Sequence, residues 1–431
     1  MSDFNRQLLV ESEGPAWLAP RREQGRARWT ETARPTRKTE DWKYTSLHLL
    51  DREFGDAPTL ADAANSSVVD DLPDLGGIRL IFIDGHLQSD ESHSGLPDGV
   101  SLVRFADANA TQADAIQERL GSAIFGDRHV FANLNDANLS DGVFLHLSAN
   151  VELSAPVHIV YANSGAEPAF TVNQRLLVVL EDNARASVIE HFTGRGVAAF
   201  TNGITELLLG AGAALKHRRL HCEEGGAMHI GGVHARLDRN SHLDSFHLAL
   251  GGALKRIDLV VHHAGSGAHC DLNGIYLLRG SEHVDYHSTI EHAVPHCTTD
   301  EVFRGVIGDE ASAVFNGRIH IHPDAQKTRA ELSNKNLLTS SDAEINTKPE
   351  LEIYADDVQC AHGATVAQLD ESMLHYLRTR GVGKDEAEVM LSYGFINELV
   401  EGLDNATLRD FLHPLLAQRL CRDPELIRHL A

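Results

Sequence analysis

Turn residues recur at a nearly constant spacing through the middle of this 431-residue chain. Four of them each separate one short apolar run from the next, and the pattern continues around Glu310. They are Asn183, Gly212, Asn240 and Gly267, which lie 29, 28 and 27 residues apart. Such a period is typical of stacked repeats, because one repeat cannot bury its own inner face. Strand–turn–strand repeats of this length predict a parallel β-helix, and the alternative is a large β-sandwich.

The chain divides into three regions by pattern. Residues 1–140 mix helical periodicity with a short strand, IRLIFIDGHL. Residues 141–366 contain short apolar runs interrupted by Gly, Asn or Asp, which is typical of strands and turns. Residues 367–431 return to helical periodicity. We therefore expect a mainly β protein, with a β-helix core between N-terminal and C-terminal helical regions.

Composition narrows the classes of partner. With 38 basic and 62 acidic residues the net charge is −24, so we expect no nucleic-acid partner. No apolar run approaches the ~18 residues of a membrane span, and no membrane partner is expected. The N-terminal segment has neither a basic stretch nor an apolar stretch typical of a secretory signal, which favours a cytoplasmic location. Five scattered cysteines without a CxxC pair indicate neither a disulfide framework nor an autonomous four-cysteine site.

Common catalytic motifs are absent from the sequence. It contains no GxxxxGK[ST], no dinucleotide fingerprint, no HExxH and no GxSxG. If the function uses nucleotide energy, a partner must hydrolyse the nucleotide.

One stretch, ELEIYADDVQCAHGATV, offers a cysteine and a histidine two residues apart. Alternation places Leu351, Ile353 and Ala355 on one face, which we expect to point inward. Cys360 and His362 have the opposite parity, so we expect both to point outward. An imidazole near a thiol favours the thiolate, which would make the pair a soft metal-ligand set.

The number of ligands in this stretch is too small for a closed site. An iron–sulfur cluster or a structural zinc ion takes about four ligands, so the others must come from elsewhere in the fold or from another chain. The alternative, a Cys/His hydrolytic dyad, would also need an orienting third group and an oxyanion hole.

Other histidines form weaker metal candidates within a total of 26. His320 and His322 share one strand face in RIHIHP. A second candidate lies in EHVDYHSTIEHAVPHC and consists of His283, Asp285, His287, His292, His296 and Cys297. The alternative interpretation for all of them is hydrogen-bonded or solvated polar positions in a strand-rich body.

Long segments of the chain resemble the SufD branch of the SufB/SufD superfamily, whose members act in iron–sulfur cluster assembly. The matching segments include RKTEDWKYTSL, EHAVPHCTTDEVFRG, RAELSNKNLLTSSDAEINTKP and TKPELEIYADDVQCAHGATVAQLDESMLHYLRTRG. A Gly-Cys-Thr context, typical of the SufB branch, is absent. The resemblance implies a right-handed parallel β-helix, a complex with SufB and two copies of the ATPase SufC, and SufC docking by residues 367–431. It also implies that the family's functional histidine and cysteine fall on His362 and Cys360, at an interface with SufB where a transient cluster forms.

These observations predict a non-catalytic scaffold subunit. The alternative is a β-helix enzyme acting on polysaccharide, which would need paired carboxylates in a groove, and the 6% aromatic content is low for sugar stacking. The segment KDEAEVMLSYGFINELV has an apolar stripe at helical spacing, which consists of Ala387, Met390, Leu391, Phe395 and Leu399. Three roles are open for this stripe: packing within the chain, forming a homodimer, or binding SufC. The sequence leaves open whether the isolated chain dimerises, whether flavin takes part, and whether Cys360 is a ligand, a sulfur relay or a bystander.

Overall fold

Two long, mainly parallel β-sheets face each other along most of the chain. The structure is a computed structural model, and it describes residues 3–10, 13–55, 57–59, 67–70, 72–90, 96–125, 129–165, 168–194 and 199–421. In these ranges one sheet has ten strands and the other has nine. No helix in the described ranges is long and apolar enough to cross a membrane.

From β4 onward, consecutive strands alternate between the two sheets, so that each strand pairs with the strand two places further along the chain. The first sheet runs in the order β2 (His86–Asp90), β1 (Ile78–Ile83), β5 (Val157–Asn163), β7 (Arg185–Gly194), β9 (Ala214–His221), β11 (His242–Leu250), β13 (His269–Leu278), β15 (Thr298–Ile307), β17 (Arg329–Leu338) and β19 (Gln359–Gln368). The second runs in the order β3 (Val100–Arg104), β4 (Val143–Leu147), β6 (Thr171–Leu180), β8 (Phe200–Leu209), β10 (Met228–Leu237), β12 (Leu254–His263), β14 (His283–His292), β16 (Ser312–Ile321) and β18 (Glu344–Ile353). Only the pairs β1–β2 and β3–β4 are antiparallel among these neighbours.

The repeat period read from the sequence is the length of one coil of this solenoid. His269 on β13 pairs in register with Thr298 on β15, 29 residues later. The turn residues Asn183 and Asn240 lie at corners between strands, with φ angles of 60° and 54°. Asparagine tolerates this left-handed conformation better than most residues do, which explains its place in the repeat. The predicted parallel β-helix flanked by helices is confirmed.

Apolar side chains from both sheets fill the space between them, which we call the lumen. Aromatic rings pack against one another along it in tilted pairs, with centroids 5.3 Å apart for Tyr286 and Phe303 and 5.0 Å apart for Phe303 and Phe315. All three side chains are fully buried. Each coil therefore covers the apolar face of its neighbour, as the period predicted.

Helices flank the solenoid at both ends of the chain. They are α1 (Asp3–Gln7), α2 (Ala19–Glu31), α3 (Ala110–Arg119), α4 (Val130–Ala137), α5 (Glu371–Thr379), α6 (Lys384–Glu401) and α7 (Ala406–Leu420), with short 3-10 turns at Ala16–Leu18, Glu40–Trp42, His48–Leu50 and Phe105–Asp107. On the N-terminal side, Trp29, Trp42 and Phe131 pack in one buried cluster with Phe200 of β8. On the C-terminal side, α6 and α7 cover part of the outer face of the first sheet, where Ile396 and Leu412 pack with Phe246 of β11.

A buried carboxyl group in the lumen predicts a pH-dependent stability. Glu301 is 1% exposed, and burial raises its pKa to about 7, which the hydroxyl of Ser288 only partly offsets. Because the folded state holds this proton more tightly than the unfolded state, the contribution of Glu301 to stability is lost as pH rises through 7. The natural chain should therefore lose stability between about pH 5 and about pH 8, whereas Glu301→Gln has no proton to lose at this position. We expect the free energy of unfolding of the variant, relative to that of the natural chain, to increase by roughly 2 to 3 kcal/mol between these two pH values. Urea unfolding of both chains at the two pH values measures this, and an unchanged difference would contradict it.

Candidate functional site

The last two strands leave one end of the solenoid open. Within the described ranges, β18 pairs only with β16 and β19 pairs only with β17. Both strands are ten residues long, and each exposes one edge of unpaired backbone groups. An exposed edge of this length is a template for strand addition by another chain.

Cys360 and His362 lie on β19, at this open end. In the parallel register Cys360 pairs with Ala330 and His362 pairs with Leu332. Ala330 and Leu332 point into the lumen and are 0% and 3% exposed. In-register neighbours on parallel strands point to the same side of the sheet, so both candidate ligands are on the lumen side.

The predicted outward direction of Cys360 and His362 is therefore wrong. It assumed one continuous strand, whereas β18 ends at Ile353 and β19 begins at Gln359 in the other sheet. The corner between them resets the alternation, so parity cannot be carried across it. The inward prediction for Leu351 is confirmed, since it packs against the lumen cluster.

The two candidate ligands differ in their surroundings. No further coil covers β19, so the imidazole of His362 is exposed although it points to the lumen side. Cys360 is half-buried against the lumen cluster, and burial raises the pKa of its thiol above the usual value. The expected thiolate is therefore not favoured in the free chain, and a metal ion would have to displace the thiol proton.

The pair is incomplete as a metal site in this chain. Among the described residues, no third histidine, cysteine or carboxylate atom converges with Cys360 and His362. Cys360 and His362 are two residues apart on one strand, so their Cα atoms are separated by roughly 7 Å. Such a pair supplies one or two ligands to a group that other residues must complete.

Apolar side chains surround this pair on the open end. Ile353, Tyr354 and Val366 are 42%, 61% and 51% exposed. Large apolar side chains grouped around an unpaired strand edge are typical of a protein-binding surface. We call this region, formed by β18, β19 and the corner between them, the open end.

His320 and His322 do come together, as their shared strand face predicted. Their rings stack with centroids 4.4 Å apart, and a nitrogen of each lies 2.9 Å from Oε2 of Glu291. The guanidinium of Arg318 also contacts Glu291, at 2.7 Å, and lies 2.9 Å from Nδ1 of His320. A fixed positive charge inside the group opposes a second cation there, so the hydrogen-bonded interpretation fits this cluster better.

The second candidate, His283 to Cys297, divides into separate groups. His283, Asp285 and His287 share the outer face of β14, as predicted. His283 and Asp285 there meet the N-terminal segment that contains EDWKYTSL. Oγ1 of Thr45 donates a hydrogen bond to Asp285 and lies 3.0 Å from Nε2 of His283. His287 Nε2 lies 3.0 Å from Oδ1 of Asp285. His283 and Asp285 therefore anchor a segment that is distant in sequence.

Thr45 allows this anchoring role to be tested. Its side chain is 1% exposed, so Thr45→Val would leave Asp285 without its hydroxyl donor in a buried position. We expect a loss of about 1 to 3 kcal/mol in the free energy of unfolding. Urea unfolding measures it, with the exposed Thr111→Val on α3 as a control that should change stability by less than about 0.5 kcal/mol.

His292 and Cys297 face the lumen and meet a residue that the sequence did not single out. The rings of His292 and His263 stack with centroids 4.3 Å apart, and Cys297 lies within ligand-sharing distance of both. Burial lowers the pKa of His292 to about 4, so it is neutral near pH 7. His296 is not part of this group and lies at a corner with φ 65°.

The apolar stripe predicted on α6 is displaced by about one residue. Ala387 is buried, but Met390 is 37% exposed and Phe395 is half-buried. The face that packs internally consists of Ala387, Val389, Ser392, Ile396 and Val400. Preceding α6, α5 has no buried residue and exposes Met373 and Tyr376 by 46% and 51%.

Comparison with known proteins supports one family along the chain. The model of the SufBD core domain of the SUF iron–sulfur cluster assembly system matches residues 161–395, and the SufBD N-terminal region model matches residues 4–159. Iron–sulfur cluster assembly protein SufD of Escherichia coli is 30% identical over 96% of this chain and 95% of its own length. A SufBD family iron–sulfur cluster assembly protein of Synechocystis sp. is 30% identical over 89% of this chain and 87% of its own. SufD of Bacillus subtilis is 26% identical over 93% of each.

Proposed function

We propose that this chain, which belongs to the SufBD family of iron–sulfur cluster assembly proteins, is a non-catalytic scaffold subunit on which clusters are built. One observation carries the proposal, namely the open end with an exposed His362 and no converging third ligand among the described residues. In this proposal iron and sulfide are cargo, and the chain supplies ligands to them without turning over a substrate of its own.

We propose SufB as the chain that completes the site. Strand addition along β19 or β18 would satisfy the unpaired backbone groups of the edge. It would also cover Ile353, Tyr354 and Val366, which are apolar and exposed in the free chain. A second copy of this chain could use the same edge when SufB is absent, and the isolated protein would then form a homodimer, a state that the sequence leaves open.

The two candidate ligands take different roles in this proposal. The exposed imidazole of His362 can bind a metal ion without rearrangement of the strand. Cys360 binds only after its thiol loses a proton, and burial makes that loss harder. We therefore assign His362 as the principal ligand and Cys360 as a ligand that forms when a metal ion displaces its proton.

We propose that the C-terminal helical region, residues 367–431, docks the ATPase SufC. Among its described residues, α5 and the neighbouring turn of α6 expose Met373, Tyr376 and Met390, while the opposite side of α6 packs on the solenoid. This leaves an apolar outer surface on a segment that rests on the first sheet. Nucleotide hydrolysis by SufC could then change the geometry of the open end through that sheet.

Coexpression with SufB and SufC tests the proposal. We expect all three chains to be recovered together by a tag on this chain, and the complex to hold iron and acid-labile sulfide under anaerobic conditions. Absorption spectroscopy, with quantified iron and sulfide, gives the measurement. A chain that captures neither partner, or a complex that holds no cluster, would contradict the scaffold role.

The polysaccharide-acting alternative gains no support from the relatives, which are named as iron–sulfur cluster assembly proteins. Turnover of oligosaccharides by the purified chain would restore it. The proposed location, in keeping with the scaffold role, is the cytoplasm.

A further inference from the structure

Three side chains with metal-ligating atoms converge on the outer face of the first sheet, away from the open end. They are His242 on β11 and His269 and Asp271 on β13. Nε2 of His242 and Nε2 of His269 each lie 3.0 Å from the same atom, Oδ2 of Asp271. All three donor atoms lie within 4.8 Å of one another.

Within one row of three aspartates on this face, the solenoid register gives the middle one histidine partners. Asp244, Asp271 and Asp300 occupy equivalent positions on β11, β13 and β15. Asp244 pairs with the guanidinium of Arg218 at 2.6 Å, and Asp300 pairs with that of Arg329 at 2.6 Å. Asp271, between them, instead faces two imidazoles that belong to successive coils. In this row the middle carboxylate is the one whose close partners can bind a cation.

The distances suit a metal ion. Two ligand atoms at about 2.1 Å from a metal and 90° apart are about 3.0 Å from each other. Two imidazole nitrogens and one carboxylate oxygen on one side of an ion form the facial set found in divalent transition-metal sites. We propose that His242, His269 and Asp271 bind a divalent first-row transition-metal ion, with water in the remaining positions.

A neighbouring residue already orients one of the ligands. Nδ1 of His269 lies 2.6 Å from Oγ1 of Thr298, at the same position of the next coil. Metal-binding histidines usually have such a partner on the second ring nitrogen, which fixes the ring and leaves the other nitrogen for the metal.

The site is open to solvent. The side chains of His242, His269 and Asp271 are 47%, 29% and 33% exposed. They lie at the beginnings of their strands, whereas α6 and α7 cover the later half of the same face, including Phe246 and Ile275. Ions and water can therefore reach the three donor atoms directly.

Metal titration of the full chain tests the site independently of cluster assembly. The chelator-treated protein is titrated with Zn²⁺ by calorimetry and with Co²⁺ by absorption. We expect His242→Ala and His269→Ala each to weaken one binding event by at least about tenfold. Because the ligands are two nitrogens and one oxygen, the Co²⁺ absorption that is present in the natural chain and missing in these variants should contain no thiolate-to-metal charge-transfer band. His242 is exposed and His269 is half-buried, so we expect urea unfolding of each variant to stay within about 1 kcal/mol of the natural chain.

Asp300→Asn is the matched control, because it removes a carboxylate from the same row without removing a proposed ligand. It should leave the affinity within about threefold, since only a screened surface charge is lost. Thr298→Val should weaken binding less than loss of a ligand does. Unchanged stoichiometry and affinity in both histidine variants would overturn the proposal, and so would an equal loss in Asp300→Asn.

Discussion

Replacing His362 by alanine is expected to reduce the iron and sulfide held by the coexpressed complex by about tenfold or more, since a metal ligand rather than an outer partner is lost. The imidazole is exposed at the open end, where no other described residue of this chain converges to replace it. Its loss therefore leaves a coordination position that only water or the partner chain can fill. Iron and acid-labile sulfide, measured anaerobically per complex, give the result.

Two variants on the same strand sharpen this test. Gln359→Ala changes an exposed residue at the start of β19, on the other face from His362, and should leave the cluster content unchanged. Cys360→Ser should reduce it less than His362→Ala does, because we assign the cysteine the secondary role. Recovery of SufB and SufC should be equal in every variant, which separates loss of a ligand from loss of assembly. Full cluster content in His362→Ala would remove His362 from the site.

Replacing Glu206 by alanine is expected to destabilise the fold by about 3 to 5 kcal/mol, because it removes the closer of two carboxylates that pair with a buried guanidinium and leaves two backbone N–H groups without their acceptor. The second carboxylate, that of Asp136, stays 3.2 Å from Nη1 of Arg175. Nη2 of Arg175 lies 2.6 Å from Oε1 of Glu206, and both side chains are 0% exposed. The same carboxylate accepts hydrogen bonds from the backbone N–H groups of Gly121 and Ala123. One side chain of β8 therefore holds both a buried cation and the segment after α3.

Urea unfolding measures this loss, and two comparisons calibrate it. Glu206→Gln keeps the shape and some of the hydrogen bonds, so its loss should be smaller than that of the alanine variant. Glu388→Gln breaks an exposed pair with Lys384 on α6 and should cost less than about 0.5 kcal/mol. A loss below about 1 kcal/mol in Glu206→Ala would show that water reaches Arg175 and that the pair is not buried in solution.

The solenoid could be predicted because its cause is local and repeated. Each coil contains the same strand, turn and strand, so Asn183 and Asn240 identify the corners and their spacing gives the coil length. Facing within a strand follows from alternation, which correctly turned Leu351 inward. Alternation does not predict the side-chain direction on the strand after a corner, because the number and conformation of the corner residues decide which residues of that strand point inward. That is why the direction of Cys360 and His362 was wrong.

Contacts between distant segments could not be predicted from one sequence. Thr45 meets Asp285 across 240 residues, and no local pattern links them. The group formed by His242, His269 and Asp271 did leave a signal, because the two histidines are one coil length apart, at 27 residues. Polar residues at equivalent positions of successive coils come together in any solenoid. Comparing the repeats position by position would have brought these histidines together before the structure did.

Hydrogen exchange at the open end tests the central claim most directly. Unpaired edge amides of β18 and β19 should exchange quickly in the free chain, and a partner strand would protect them. We expect slower exchange in Glu344–Ile353 and Gln359–Gln368 when the chain is bound to SufB and SufC. If the complex forms while exchange in both strands is unchanged, the open end is not the assembly interface.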